Sequence, residues 1–164
     1  AEGEGRNAVF AAMLGWHVSA FDISEAGREK AMALAKKHSV EIDYSVTNLE
    51  DIAYEPASFD ALVLVFAHFP VAKRQAFHKK LGALVKPGGH VILVGFSKKH
   101  LAFNAVNESA GGPKDESMLF SVAEIEADFS DFEVVELKES EVELSEGLYH
   151  RGKSAVIRFV GRKR

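Results

Sequence analysis

AEGEGRNAVFAAMLGWHVSAFD, residues 1–22, is the stretch whose reading decides the fold. Gly3-Glu4-Gly5-Arg6-Asn7-Ala8 satisfies G-x-G-x-x-A, a glycine-studded turn that runs straight into a helix. Glycines there let backbone approach a ligand, and the helix start presents free N–H groups with partial positive charge. The spacing predicts a helix over residues 5–14 with Val9, Phe10, Met13 and Leu14 on its inward face, stopped by Gly15. Residues 17–22 then read as a strand ending in Asp22, a carboxylate able to accept both hydroxyls of a ribose.

Outward from this turn the pattern alternates. Ser24 caps a second helix through about His38, with Ala31, Leu34 and Ala35 inward. VEIDYSV, residues 40–46, alternates like a half-exposed strand, whereas DALVLVF, residues 60–66, is a continuous apolar strand of the kind covered on both faces. Residues 72–85 form a helix with Ala76, Phe77, Leu81 and Leu84 on the buried side, terminated by KPGG at 86–89. VILVGF, residues 91–96, is another buried strand. Strands alternating with helices imply a Rossmann-like α/β fold, an open and mostly parallel sheet with helices on both faces. Residues 97–118 form a long polar connection with little periodicity, followed by a helix over 120–129. Residues 132–144 and 155–161 read as a hairpin-like pair joined by SEGLYHRGKS, which makes the last strand antiparallel.

Composition narrows the function. The chain has 164 residues, the size of one domain, with 47% hydrophobic and 27% charged residues. A net charge of −4 offers no basic surplus for tracking nucleic-acid phosphates. The absence of cysteine excludes disulfides, thiolate zinc sites and a cysteine nucleophile, and it fits a cytoplasmic protein. The longest apolar run, residues 61–67, is far too short to span a membrane. Carboxylates form no cluster and no histidine pair has helical metal-site spacing, so no metal is expected.

Two ligand classes compete for the turn, a nicotinamide or flavin dinucleotide and S-adenosylmethionine. Glu2 and Glu4 tilt the choice, because a pyrophosphate would meet like charges there. S-adenosylmethionine carries an ammonium and a sulfonium, which acids tolerate.

Several stretches together resemble the class I S-adenosylmethionine-dependent methyltransferases, and more narrowly their bacterial tellurite-resistance and thiopurine-methyltransferase-like branch. They are AEGEGRNAVFAAMLGWHVSAFDIS, SVTNLEDIAY, DALVLVFAHFP and LGALVKPGGHVILVGF, with GGPKD and EGLYHRGK narrowing the match. The resemblance implies a seven-stranded sheet whose last strand inserts antiparallel. It also implies that Ala1, Gly3, Gly5 and Arg6 line the methionyl and ribose region of the cofactor. By the same resemblance Asp22 holds the ribose, Ile23 lies beside the adenine, and Asn48 and Leu49 contact its amino group. Phe66, Ala67 and His68 approach the methyl end. Two departures stand out: Ala1 replaces the first glycine of the motif, and the family's first strand is missing. The expectation is a longer natural chain whose N-terminal residues carry that strand.

In an open α/β sheet the ligand lies at the carboxyl ends of the parallel strands, which places residues 66–70, 97–117 and 144–153 on one rim. His68 is the candidate base, Tyr149 and His150 are candidate substrate-contacting groups, and Arg151, Lys114 and Asp115 lie nearby. His17, His38, His78, His90 and His100 fall on strand starts or exposed helix faces, as surface or capping residues. The expected activity is methyl transfer to a small soft nucleophile, a thiol or metalloid oxyanion, by a monomer or weak homodimer with no nucleic-acid or membrane partner. A nicotinamide-dependent oxidoreductase and a non-catalytic S-adenosylmethionine-binding protein are the alternatives.

Overall fold

A computed structural model describes residues 1–146 and 149–164, so Gly147 and Leu148 of the expected hairpin turn lie outside the described residues. The chain divides into two compact units, Ala1–Ala53 and Tyr54–Arg164.

The first unit contains helix α1 (Arg6–Met13), strand β1 (Ser19–Asp22), helix α2 (Glu25–Lys37) and strand β2 (Asp43–Val46). β1 and β2 pair in parallel, from Ser19 opposite Asp43 to Asp22 opposite Val46. Ser24 caps α2 as its sequence position suggests, its hydroxyl accepting the Gly27 N–H, while Glu25 and Lys36–Lys37 sit at the dipole ends they complement. Ala8, Val9, Ala20, Ala31, Ala35, Ile42 and Tyr44 form the core. The inward face expected for α1 is wrong in part: Ala8 and Val9 are buried, but Phe10, Met13 and Leu14 are exposed. The reason lies in the helix pairing. Gly5 approaches α2 so closely that a Cβ there would sit 2.4 Å from the Cβ of Ala31. That contact turns the small residues of α1, rather than its bulky ones, toward the core.

The second unit contains β3 (Phe59–Val65), α3 (Val71–Ala83), β4 (Val85–Phe96), α4 (His100–Val106), α5 (Val122–Asp128), β5 (Phe132–Ser145) and β6 (Arg151–Lys163). Its sheet has the order β3-β4-β6-β5. β3 and β4 are parallel, and β6 runs antiparallel to both β4 and β5. The last strand is therefore inserted antiparallel between strands that share one direction, as the sequence leads one to expect.

KPGG does not form the expected helix stop. α3 ends at Ala83, and Lys86–Gly89 bulge out of β4 between two ladder pairs, Val85 with Phe59 and His90 with Ala61. One sheet face buries Leu64, Val91, Leu93, Ile157 and Phe159, and Phe129 of the α5 end stacks on Phe159 at 5.1 Å. On the other face Phe96, Leu119 and Val156 form a smaller core that includes Leu101 of α4. Farther along that face Val63 and Ile92 are exposed, so β3 is not covered throughout on both sides. The connection after β4 is structured: it holds α4 and two short 3₁₀ turns, Glu108–Ala110 and Glu116–Met118. No described helix is long and apolar enough to cross a membrane.

α3 and α5 are joined by a buried charged cluster. Asp128 Oδ2 accepts hydrogen bonds from Arg74 Nε at 2.9 Å and from His78 Nδ1 at 2.8 Å. Arg74 Nη1 lies 3.1 Å from Glu124 Oε1, a charge contact out of line for a hydrogen bond. The buried side of α3 thus carries Arg74 and His78 with Leu81, while Ala76 is exposed, contrary to expectation. His78 is fully buried rather than on a surface, and burial lowers its pKa against the opposing pull of Asp128.

Candidate functional site

In the first unit the glycine turn is built around Asp22. The Gly3 N–H donates to Asp22 Oδ2 at 2.9 Å, and the Ser24 N–H donates to Oδ1 at 3.1 Å. Each carboxylate oxygen accepts one bond here and retains acceptor capacity for further donors. Tyr44 donates its hydroxyl to the Gly3 carbonyl at 2.6 Å. Burial, then the nearby Asp22 and Glu2, push the Tyr44 pKa up to about 12, so it stays a donor. The Gly3 peptide is pinned on both sides, at φ +64, yet nothing lies within 4 Å of where its Cβ would be. The turn presents backbone, held by these two bonds, to open space.

The two acids of the turn point in different directions. Glu2 accepts the Ala8 N–H at 2.9 Å, so a carboxylate already occupies the start of α1. Burial raises its pKa, although the Ala8 bond opposes that shift. Glu4 points outward to Lys30. An anionic diphosphate would compete with Glu2 for the same helix start, whereas a cationic ligand would not.

The Ala1 nitrogen donates to the Phe21 carbonyl at 2.8 Å. Arg6 is exposed at the first turn of α1, and Gly5 packs on α2 rather than facing a ligand. Ile23 is 77% exposed directly after Asp22. Asn48 spends its side chain locally, its Nδ2 donating to Asp51 at 2.6 Å while its Oδ1 accepts the Asp51 N–H. Leu49 is buried. Any adenine contact at 48–49 is therefore left to backbone.

In the second unit the carboxyl end of β3 leads into an aromatic cluster. Phe66 takes φ +53, rare for a non-glycine residue, while its N–H donates to the Val94 carbonyl at 2.7 Å. Its ring stacks on Phe96 at 4.6 Å and tilts against His150 at 4.5 Å. Ala67 is buried. A cavity of about 350 Å³ opens beside Phe66, walled by Val65, Val94, Leu144 and Val156, with Glu143, Glu146 and Arg158 as charged members. Tyr149 is 72% exposed, and His150 lies half-buried on the two phenylalanines at φ +61.

His68, the expected base, is held by two backbone groups. Its Nδ1 bonds the Met118 carbonyl at 2.8 Å, and its Nε2 accepts the Phe96 N–H at 3.0 Å. Those partners fix the Nδ1–H tautomer and use both ring nitrogens, so no lone pair remains for a substrate proton. Burial, opposed by the Met118 bond, lowers the His68 pKa to about 4. His100 is equally committed: it is fully buried, not on a surface, with Nε2 bonding the Gly111 carbonyl and Nδ1 accepting the Ala155 N–H. Lys114 pairs with Glu108, and Asp115 caps the Ser117 N–H. Sequence reasoning missed the Arg74–His78–Asp128 cluster, for which only the i, i+4 spacing of Arg74 and His78 gave a signal.

A family profile described as "Methyltransferase domain" matches residues 1–89. A ubiquinone biosynthesis O-methyltransferase from Methylocella silvestris is 37% identical over 78 residues, which cover 48% of this chain and 30% of that relative. The match thus spans about a third of the relative's length. Among solved structures, TehB from Haemophilus influenzae superposes with a TM-score of 0.72 at 19% identity, covering 99% of this chain and 55% of that one. Magnesium protoporphyrin IX methyltransferase from Synechocystis, solved with bound SAH, gives 0.72 at 17% identity, covering 99% and 71%. With more than half its length matched by the family profile, the chain belongs to the methyltransferase-domain family, whose S-adenosylmethionine-dependent members share this fold.

Proposed function

We propose that this protein transfers a methyl group from S-adenosylmethionine to a small soft nucleophile, a thiol or a metalloid oxyanion. The observation that carries the donor assignment is the Gly3 peptide, locked between Asp22 and Tyr44 and facing open space. The donor set fits: a carboxylate with spare acceptor capacity for a ribose, exposed backbone at the turn, and acids compatible with an ammonium and a sulfonium. Asp22, Gly3 and backbone at 48–49 would hold the donor, with Ile23 offering an exposed apolar side chain for the adenine. Arg6 remains a candidate for the same role.

Bound S-adenosylmethionine supplies a methyl group already activated by the sulfonium. The protein therefore has mainly to hold donor and acceptor in line, which is worth on the order of 7–11 kcal/mol. A thiolate or oxyanion needs no general base, in keeping with His68 having both nitrogens engaged. Tyr149, His150 and Arg151 are the groups we assign to the acceptor. The cavity beside Phe66, about 350 Å³, has room for a small acceptor.

The curated relatives named as O-methyltransferases favour a second reading, transfer to a phenolic oxygen. Incubation with methyl-tritiated S-adenosylmethionine and thiophenol, selenite or catechol separates these readings. Label in thiophenol or selenite is expected. Label in catechol alone would establish the second reading, and label in none would overturn both.

A further inference from the structure

The motif halves GGPKD and EGLYHRGK meet in the second unit, and the meeting is built from buried polar side chains. His100 and Asn104 are both buried, and both donate to one carbonyl, that of Gly111, at 2.9 and 2.6 Å. Both lone pairs of that oxygen are thereby used. Gly111 in turn lies flush against His150, where a Cβ would come within 2.8 Å of the imidazole Cδ2.

Asn107, between these donors and Gly111 in sequence, reaches across to the next residue of the loop. Its Oδ1 accepts the Ser109 N–H at 3.1 Å, and its Nδ2 donates to the Arg151 carbonyl at 2.8 Å. Ser109 N–H can only donate and a carbonyl can only accept, so the partners fix the orientation of the amide. Gly152 leaves room for it, since a Cβ there would stand 2.7 Å from Nδ2. His150, one residue earlier, sits at φ +61, a conformation that surrounding contacts must hold.

We propose that Asn107 is a positioning residue that latches the start of β6 through the Arg151 carbonyl and so sets the placement of His150, the preceding residue, on Phe66. This rests on the reading of Tyr149, His150 and Arg151 as the acceptor side of the site. The latched carbonyl belongs to the Arg151–Gly152 peptide bond, a trypsin site, which gives a readout independent of catalysis. Asn107→Asp keeps the acceptor for Ser109 and abolishes the donor, whereas Asn107→Ala removes both.

With the full chain under native conditions, trypsin cleavage after Arg151, followed by mass spectrometry, is expected to accelerate about fivefold or more in both variants. With thiophenol as acceptor, KM rises about fivefold or more while kcat stays within about twofold. Unchanged cleavage in Asn107→Asp overturns the latch, and fast cleavage in Asn107→Ala alone assigns the effect to the Ser109 cap and overturns it too. Faster cleavage with an unchanged KM overturns the positioning role. A wild-type protein that methylates none of thiophenol, selenite and catechol defeats the underlying reading instead, while the cleavage result still judges the latch.

Discussion

Replacing His68 with Phe separates the structural role found here from the catalytic one suggested by sequence. The phenylalanine ring can keep the place of the imidazole against Phe120, 4.4 Å away, but it can neither donate to Met118 nor accept from Phe96. Leaving two backbone groups unpaired costs about 1–3 kcal/mol each where they are buried. His68 is only partly enclosed, so a total of about 2–4 kcal/mol is expected at pH 7.5. For a chain of this size that corresponds to a fall in Tm of roughly 5–15 °C.

The pH dependence supplies the sign. The His68 pKa falls on folding, from 6.5 to about 4, because burial disfavours the charged ring. Between those values the unfolded chain binds more protons, so wild-type stability is fully present above 6.5 and drains away as pH falls toward 4. At about 1.36 kcal/mol per pH unit the loss is about 3 kcal/mol, and the Phe variant lacks it. Urea unfolding of both proteins at pH 7.5, 6, 5 and 4 should therefore show two curves that converge in acid. Methyl transfer per folded molecule should fall less than about tenfold, against the 100-fold or greater loss expected on removing a general base. Equal stability at pH 7.5, a constant gap in acid, or a loss of turnover beyond 100-fold would each refute the reasoning.

Asp128→Ala removes the carboxylate that two buried donors share, leaving Arg74 and His78 uncompensated on that side. A loss of about 3–5 kcal/mol in urea unfolding is expected, and a loss under 1 kcal/mol would show the cluster to be incidental. Gly5→Ala would place a methyl 2.4 Å from the Ala31 Cβ and 2.8 Å from its Cα at φ +80, so it should destabilise by about 2–5 kcal/mol. Gly3→Ala meets nothing within 4 Å and should cost about 1–2 kcal/mol through φ alone. Equal stabilities of the two glycine variants would contradict the close packing of Gly5 on α2.

Legibility followed the locality of the forces. The α2 cap at Ser24, the parallel β1–β2 pair and the antiparallel last strand rest on short-range signals, and each is found, although β1 and β2 are shorter than expected and β6 starts at Arg151 rather than at 155. α4 left no readable signal, because seven residues are too few for a periodicity and the helix is fixed by His100 and Asn104 reaching Gly111. Arg74, His78 and Asp128 defeat a polar-outside reading, since their burial is made tolerable by partners 50 or more residues away in sequence. KPGG misleads for a related reason: proline and glycine can break a helix or bulge a strand, and the ladder with β3 decides. Asp22 and Gly3, which the motif puts around one turn, do meet through the Gly3 N–H, but the engagement of both His68 nitrogens depends on Met118 and Phe96, which no local pattern links to it.

The most direct test is calorimetric titration of the protein with S-adenosylhomocysteine, in the wild type and in Asp22→Asn. The account predicts micromolar binding by the wild type and a loss of about 10–100-fold in the variant, the worth of a charged hydrogen-bond set. Tight binding of a nicotinamide dinucleotide without S-adenosylhomocysteine, or an affinity indifferent to Asp22, would contradict it.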